Sequence, residues 1–229
     1  MRLRRHDYQT DGFTNKTPTA SITELRFRRL LNDIQWAKLP KAIKKRFSHK
    51  PLTGHTKVYH GKIIETNMNW TGKTLSRVML LLGGSLPLDT NNGGAEALVT
   101  VSAYNGANGN DAQVWTRQYA RRNRAPQIIQ SRKQFSGPTG LEEFLGQGIG
   151  MTLKLEATDN ALLFIAERFF VEIFGRRIYL PKALNPGALT ISHINQTDNT
   201  FIFGMTLVHP LFGKLVSQSI LFTDPKETR

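Results

Sequence analysis

The chain has 229 residues, with 31 Lys and Arg against 17 Asp and Glu, a formal charge of +14, and no cysteine. That length suits one large domain, which buries enough surface to hold a fold without covalent staples. Without cysteine, disulfides, thiolate metal sites and cysteine nucleophiles are excluded together.

The charge is uneven: residues 1–62 carry 15 Lys and Arg against 4 Asp and Glu, and the remainder carries 16 against 13. No apolar stretch follows the basic start. Apolar runs such as Val78 to Leu82 are far short of the roughly 18 residues of a membrane span. These features point to a cytoplasmic protein.

Residues 1–20 are polar and aperiodic and are expected to be a mobile tail, and residues 225–229 are read as a C-terminal tail. Ser21 to Glu24 has the spacing of a capping box and predicts a helix with Leu25, Phe27, Leu30, Leu31 and Ile34 on its apolar face. Pro40 starts a short basic amphipathic helix over 38–46. Ile43 and Phe47 face inward there, and Lys38, Lys41, Lys44, Lys45 and Arg46 form its charged side. Gly54 to Thr66 holds a strand, bulged at Gly61. A third helix is predicted over 69–82, with Leu75, Val78, Met79 and Leu82 on one face and Gly83-Gly84 ending it.

From residue 96 the hydrophobic period becomes two. It predicts strands at 96–104, 112–121, 127–135, 149–157, 161–174, 188–194, 200–209 and 214–222, with turns at 105–111, 137–138, 159–160 and 198–199. The expected fold is α+β, a single domain over 21–224. Its center is a strongly curved antiparallel sheet or open barrel of about eight to nine strands, with the helices covering a face or an end.

Several short motifs recur in a fixed order. They include Leu30-Leu31-Asn32-Asp33 before Leu39-Pro40, Leu52-Thr53-Gly54, Trp115-Thr116-Arg117-Gln118-Tyr119, Leu141 to Gly146, Gly175 to Pro181, and Pro210-Leu211-Phe212-Gly213. In that order the chain resembles a bacterial domain-of-unknown-function family, number 4166. The chain departs from that pattern at Gln218-Ser219-Ile220, where the family usually has Tyr-x-Gly, and at Gln113-Val114, where it often has a carboxylate. The resemblance implies a domain that stands alone or follows an NAD(P)-binding oxidoreductase-like domain. It implies an accessory or binding role and assigns no activity.

Trp115, Arg117 and Tyr119 project from one face of a strand, so the guanidinium can stack between aromatics and offer its planar fork to a carboxylate. Glu143 is the expected internal partner, and a ligand carboxylate or phosphate is the competing one. A plain buried Arg–Glu pair is the more common outcome for such residues. Arg121, Arg122, Arg124, Arg132 and Lys133 gather at a hairpin around Pro126. Solvated hairpin ends usually look like this, but together with helix 38–46 the group offers a basic surface for an anionic membrane or partner. Nothing resembles a sequence-specific nucleic-acid module.

Gly72-Lys73-Thr74 lacks the glycine five residues earlier that a phosphate loop needs, and is discounted. The histidines form no ligand set, so neither metal nor cofactor is expected. His193 and His209 share the parity of inward-facing neighbors. Eight phenylalanines between Phe164 and Phe222 read mostly as core, or as the lining of an apolar cavity.

The leading expectation is a non-catalytic binding or accessory domain for an apolar or amphipathic molecule, with Arg117 orienting its acidic end. Two alternatives stay open. One is an enzyme using Glu143 with His193 or His209, and the other is an interaction domain docking on an oxidoreductase-like partner.

Overall fold

A computed structural model describes residues 21–84, 86–105 and 111–225. The two expected tails, Pro225 excepted, and the turn at 106–110 lie outside the described residues.

The alternating segments form long antiparallel strands: β3 (Thr56–Met68), β4 (Glu96–Asn105), β5 (Asp111–Arg121), β6 (Arg124–Gln134), β8 (Ile149–Ala157), β9 (Ala161–Ile173), β11 (Ala188–Asn195), β12 (Thr200–His209) and β13 (Gly213–Thr223). Two short strands carry no alternation and escape a sequence reading, β7 (Glu142–Gly146) and β10 (Arg176–Tyr179). A small separate ribbon pairs β1 (Ser21–Thr23) with β2 (His49–Pro51).

The sheet closes. Its order runs β9-β11-β12-β13-β3-β4-β5-β6-β7-β8 and returns to β9. β9 makes the closure by pairing with β8 on one side and β11 on the other, while its last residues pair with β10. The fold is therefore a closed ten-stranded barrel with extra strands, not an open sheet of eight or nine.

Side-chain parity is continuous around the wall. Tyr59, Val99, Arg117 and Ile129 stand in adjacent register and point inward. The outer face carries polar pairs such as Lys62–Glu96, Thr116–Gln130 and Lys154–Glu156. The bulge of β3 falls at Ile64, skipped between the pairs Glu65–Ser219 and Ile63–Ile220. Gly61 lies in regular pairing with Phe222, whose ring occupies the space a Cβ would need.

The N-terminal segment fills the lower end of the barrel. Ser21 to Glu24 does not cap a helix; Ser21–Thr23 is β1, and Glu24 instead binds the Arg26 guanidinium. The capping box lies further on, where Asn32 and Gln35 bond reciprocally to start α2 (Asp33–Lys38). The expected long helix is thus split into α1 (Arg26–Arg29) and α2. Pro40 starts α3 (Lys41–Phe47) as expected. Phe27 packs edge-on against Phe47 and Phe135, with ring centroids 5.3 and 4.8 Å apart, and Phe47 lies 5.7 Å from Phe164 on the barrel wall. Each such ring adds roughly 1.5–3 kcal/mol by burial.

At the upper end, α4 (Trp70–Leu81) begins where predicted, with Asn69 accepting from the Gly72 N–H at 2.7 Å and donating to the Phe212 carbonyl at 2.9 Å. Its buried stripe keeps only half of the apolar face read from sequence: Leu75 and Met79 pack on the core, and Val78 and Leu82 do not. Gly72 and Ser76 face the barrel because the helix backbone approaches the Leu215 carbonyl closely, which turns Val78 and Leu82 out to solvent. The glycine discounted as part of a phosphate loop is thus a packing residue. Gly72→Ala is expected to push α4 off β13 and cost about 1–3 kcal/mol. Thermal denaturation should show a midpoint lower by roughly 2–4 °C for each kcal/mol lost.

Candidate functional site

The inward parity of β5 delivers Trp115, Arg117 and Tyr119 to the barrel interior together. Register then sets their neighbors. Gln113 stands opposite Lys133, and Lys133 opposite Glu143. Glu143 binds the Lys133 ammonium at 2.9 Å and the Arg117 guanidinium at 3.5 Å, all three side chains being nearly inaccessible to solvent. Ser131 completes the group by accepting from Arg117 at 3.3 Å. The Arg117–Glu143 pair expected from sequence forms, with a second cation sharing the carboxylate. Glu142 points the other way, to Ser136 and Arg177.

Burial raises the Glu143 carboxyl, but Lys133 and Arg117 outweigh it and hold the group below the ordinary carboxylate range. One carboxylate cannot serve two cations equally. Burial, reinforced by Arg117, pushes Lys133 below the usual lysine value even though Glu143 pulls it back. Lys133 also lies 4.9 Å from the center of the Trp115 ring, a cation–π contact.

Below this cluster and beneath α3 and β2 lies a small cavity of about 40 Å³. Arg46, Lys57, Trp115, Arg117 and His193 contribute its polar wall, and Phe47, Tyr59, Phe201, Phe203 and Phe222 its apolar wall. Arg46 clamps Asp224 through two bonds of 2.8 and 2.7 Å and lies over the Phe201 ring at 4.7 Å. His193 stacks on Phe201 at 3.9 Å and meets Phe47 edge-on. Its imidazole is held well below its ordinary pKa by burial and then by Arg46, so it is neutral in the fold. Tyr59 and Tyr119 are both pushed up to about 12, chiefly by burial.

Three atoms of the cavity-wall residues are buried and have no hydrogen-bond partner among the described residues: Arg46 Nη1, Trp115 Nε1 and His193 Nε2. Glu143 Oε2, behind Arg117, is a fourth.

Among the residues singled out from sequence, Trp115, Arg117 and His193 line the cavity and Glu143 stands one bond behind it. Tyr119 faces inward without reaching the cavity wall. His209 does not join them. It ends β12 at the upper rim, half-buried, stacked on Phe212 and accepting from the Leu211 N–H.

Two residues read as surface cations are interior ones. Arg46 follows Ile43 and precedes Phe47 at helical spacing, which puts it on the buried stripe of α3. Lys133 shares the inward parity of Ile129 and Ser131. Either position was a usable signal.

The expected joint basic surface does not form either. Lys38, the last residue of α2, and helix α3 with Lys41, Lys44 and Lys45 belong to the lower end, where the following Lys50 binds Asp111 at the start of β5. Arg121, Arg122 and Arg124 turn the chain at the other end of that strand, ten residues or about 33 Å away. Arg121 there is paired with Asp89. Phe174 and Phe212, expected in the core, are exposed. Among the described residues, no three His, Asp or Glu side chains gather as a metal site, and no helix is long and apolar enough to cross a membrane.

The molecule is thus a closed antiparallel barrel with a buried cationic cluster beside a small, aromatic-walled cavity. The chain matches the family described as Domain of unknown function (DUF4166) over residues 39–222, and it belongs to that family. Comparison with curated proteins and with solved structures finds no match.

Glu143→Gln is expected to leave Arg117 and Lys133 facing each other without a counter-ion and to cost about 3–5 kcal/mol in chemical denaturation. Replacing Arg117, Lys133 and Glu143 together with Met, Met and Leu should recover most of that loss.

A second expectation concerns pH. Unfolding returns His193 to its ordinary value near 6.5, so below that pH the unfolded state binds the extra proton. The His193 contribution to stability should be complete above about pH 6.5 and be lost below it by up to about 1.4 kcal/mol per pH unit. Glu143 should add its own loss only below about pH 4.5. His193→Phe should flatten the profile between those limits in pH-resolved denaturation.

Proposed function

We propose that this is a binding domain for a small amphipathic acid, held in the cavity beneath α3. The carrying observation is that three residues of the cavity wall, Arg46, Trp115 and His193, each hold a buried polar atom without a partner among the described residues. Buried polar groups are satisfied in nearly all folded proteins, so a polar occupant is called for. The charge balance favors an anion. Arg46, Lys57, Arg117 and Lys133 line the space or lie one bond behind it, against only Asp224 and Glu143. The carboxylate takes the Arg46 and Trp115 donors, and a short apolar tail packs against Phe47, Phe201 and Phe203.

The volume limits the ligand. At about 40 Å³ the cavity has room for roughly three waters, so a long fatty chain would have to displace the N-terminal segment. A cytoplasmic location, suggested by the cysteine-free composition, belongs to the same proposal. The near-filled interior favors a second reading, an interaction domain that docks on an oxidoreductase-like partner.

The test uses the full chain with Trp36 and Trp70 replaced by Phe, so that Trp115 alone reports. Titration with short-chain carboxylates should change its fluorescence, while alcohols of equal length should not. Arg46→Met should weaken carboxylate binding about tenfold or more, as loss of a charge-assisted bond does. Silence across the whole carboxylate series, with only the bare mass in native mass spectrometry of protein from its own host, would remove the ligand reading and leave the docking one.

A further inference from the structure

The upper end of the barrel, opposite the cavity, presents a surface that the fold does not need. Here α4 crosses the opening from β3 to the β7–β8 turn, where Gly83 abuts Gly146. Large apolar side chains stand out from it and from the neighboring turns. Phe174 is fully exposed, Leu211 is 82 % exposed, Leu81 78 % and Trp70 74 %, with Leu184 and Phe212 beside them. Isolated exposed apolar residues are ordinary, but so many at the turns of one end of a barrel are not. Phe174 tips the two-residue β9–β10 turn with a φ of 50°, a left-handed conformation that an aromatic rarely adopts, and it packs on nothing that would repay it.

The charge of this end is mainly positive. Helix α4 contains Lys73 and Arg77 and no acid. Arg122 and Arg124 at the β5–β6 turn, Arg176 after Phe174, and Lys214 after Phe212 are all exposed. Most nearby carboxylates are paired with a cation, Asp89 with Arg121, Glu172 with Arg177 and Glu96 with Lys62, while Glu65 accepts only from the neutral Asn67 amide and keeps its charge. Beside Trp70 a polar cleft of about 380 Å³ opens between Lys73 and Lys214, with Asn67, Asn69 and Asn91 on its walls.

We infer that this end docks on an anionic lipid bilayer. Tryptophan, leucine and phenylalanine tips with lysine and arginine around them are the composition of a helix or loop lying in the headgroup region. Apolar tips enter the acyl boundary, basic residues meet lipid phosphates, and the cleft between Lys73 and Lys214 takes one phosphate headgroup. The barrel rests on the membrane and does not cross it, because its outer wall is polar and its interior apolar, the reverse of a lipid-spanning barrel. This inference is independent of the cavity, which lies at the other end.

Vesicle flotation of the full chain tests it. The protein should float with phosphatidylcholine–phosphatidylglycerol vesicles at low salt, less at high salt, and not with phosphatidylcholine alone. Lys73→Gln and Arg77→Gln should each lower partitioning about fivefold. Phe174→Ser with Leu211→Ser should abolish flotation while leaving the thermal midpoint and the Trp115 titration unchanged. Lys38→Gln with Lys41→Gln, at the lower end, should float like the parent.

No flotation with anionic vesicles at low salt overturns the inference, as does equal flotation of the upper-end variants. Analytical ultracentrifugation closes the remaining case. A dimer that Phe174→Ser and Leu211→Ser convert to monomer would assign the surface to a second copy and overturn the membrane reading.

Discussion

Closure at ten strands is the constraint on which the rest depends. β9 bonds to β8 along one side and to β11 along the other, so the sheet has no break at which it could flatten. A barrel of that girth is wider than one of eight strands, whose interior side chains alone just fill it. The surplus space has to be occupied. Phenylalanines of the wall take part of it, and the N-terminal segment, led by Phe27, Ile43 and Phe47, takes the rest. Because that segment is drawn inside, Arg46 comes with it, and the cavity acquires a guanidinium that the wall itself does not supply.

Closure also explains the electrostatics. The register that turns Arg117, Lys133 and Glu143 inward leaves two cations with one carboxylate in a dry interior. Such a group is weak evidence for stability, since apolar residues of similar size would serve the fold as well. It sets a fixed positive field beside the cavity, in keeping with the anionic ligand proposed for it. The two ends of the barrel then differ in kind: one holds enclosed charge among aromatic rings, and the other shows apolar tips among exposed basic residues.

The fold was largely legible because a half-buried strand writes its period into the chain, and eight of the long strands were readable that way. Parity alone also puts Trp115, Arg117 and Tyr119 on one face, while Glu143 enters only as the carboxylate expected to pair with Arg117. Reading failed where residue class was allowed to outrank position. As charged residues Arg46 and Lys133 read as solvent-facing, although Ile43 and Phe47 in one case and Ile129 in the other mark their positions as inward. It failed again where local chemistry has no period, as in Glu142–Gly146 and Arg176–Tyr179. Ser21 and Glu24 had the right spacing for a cap, but Glu24 found a stronger partner in Arg26, and strand pairing with β2 claimed the serine. His209 kept its parity and still missed the interior, because β12 runs past the packed core into the upper turn.

The bond between Arg46 and Asp224 spans 178 positions, and β3 completes its ladder only with β13. During synthesis the early aromatic segment therefore emerges long before the strand that secures it. Non-local pairing of this kind slows folding, because the entropy of closing a long loop is spent before any contact repays it. Until β13 follows, the ribbon stays unclosed and the aromatic segment around Phe27 and Phe47 stays open to wrong association.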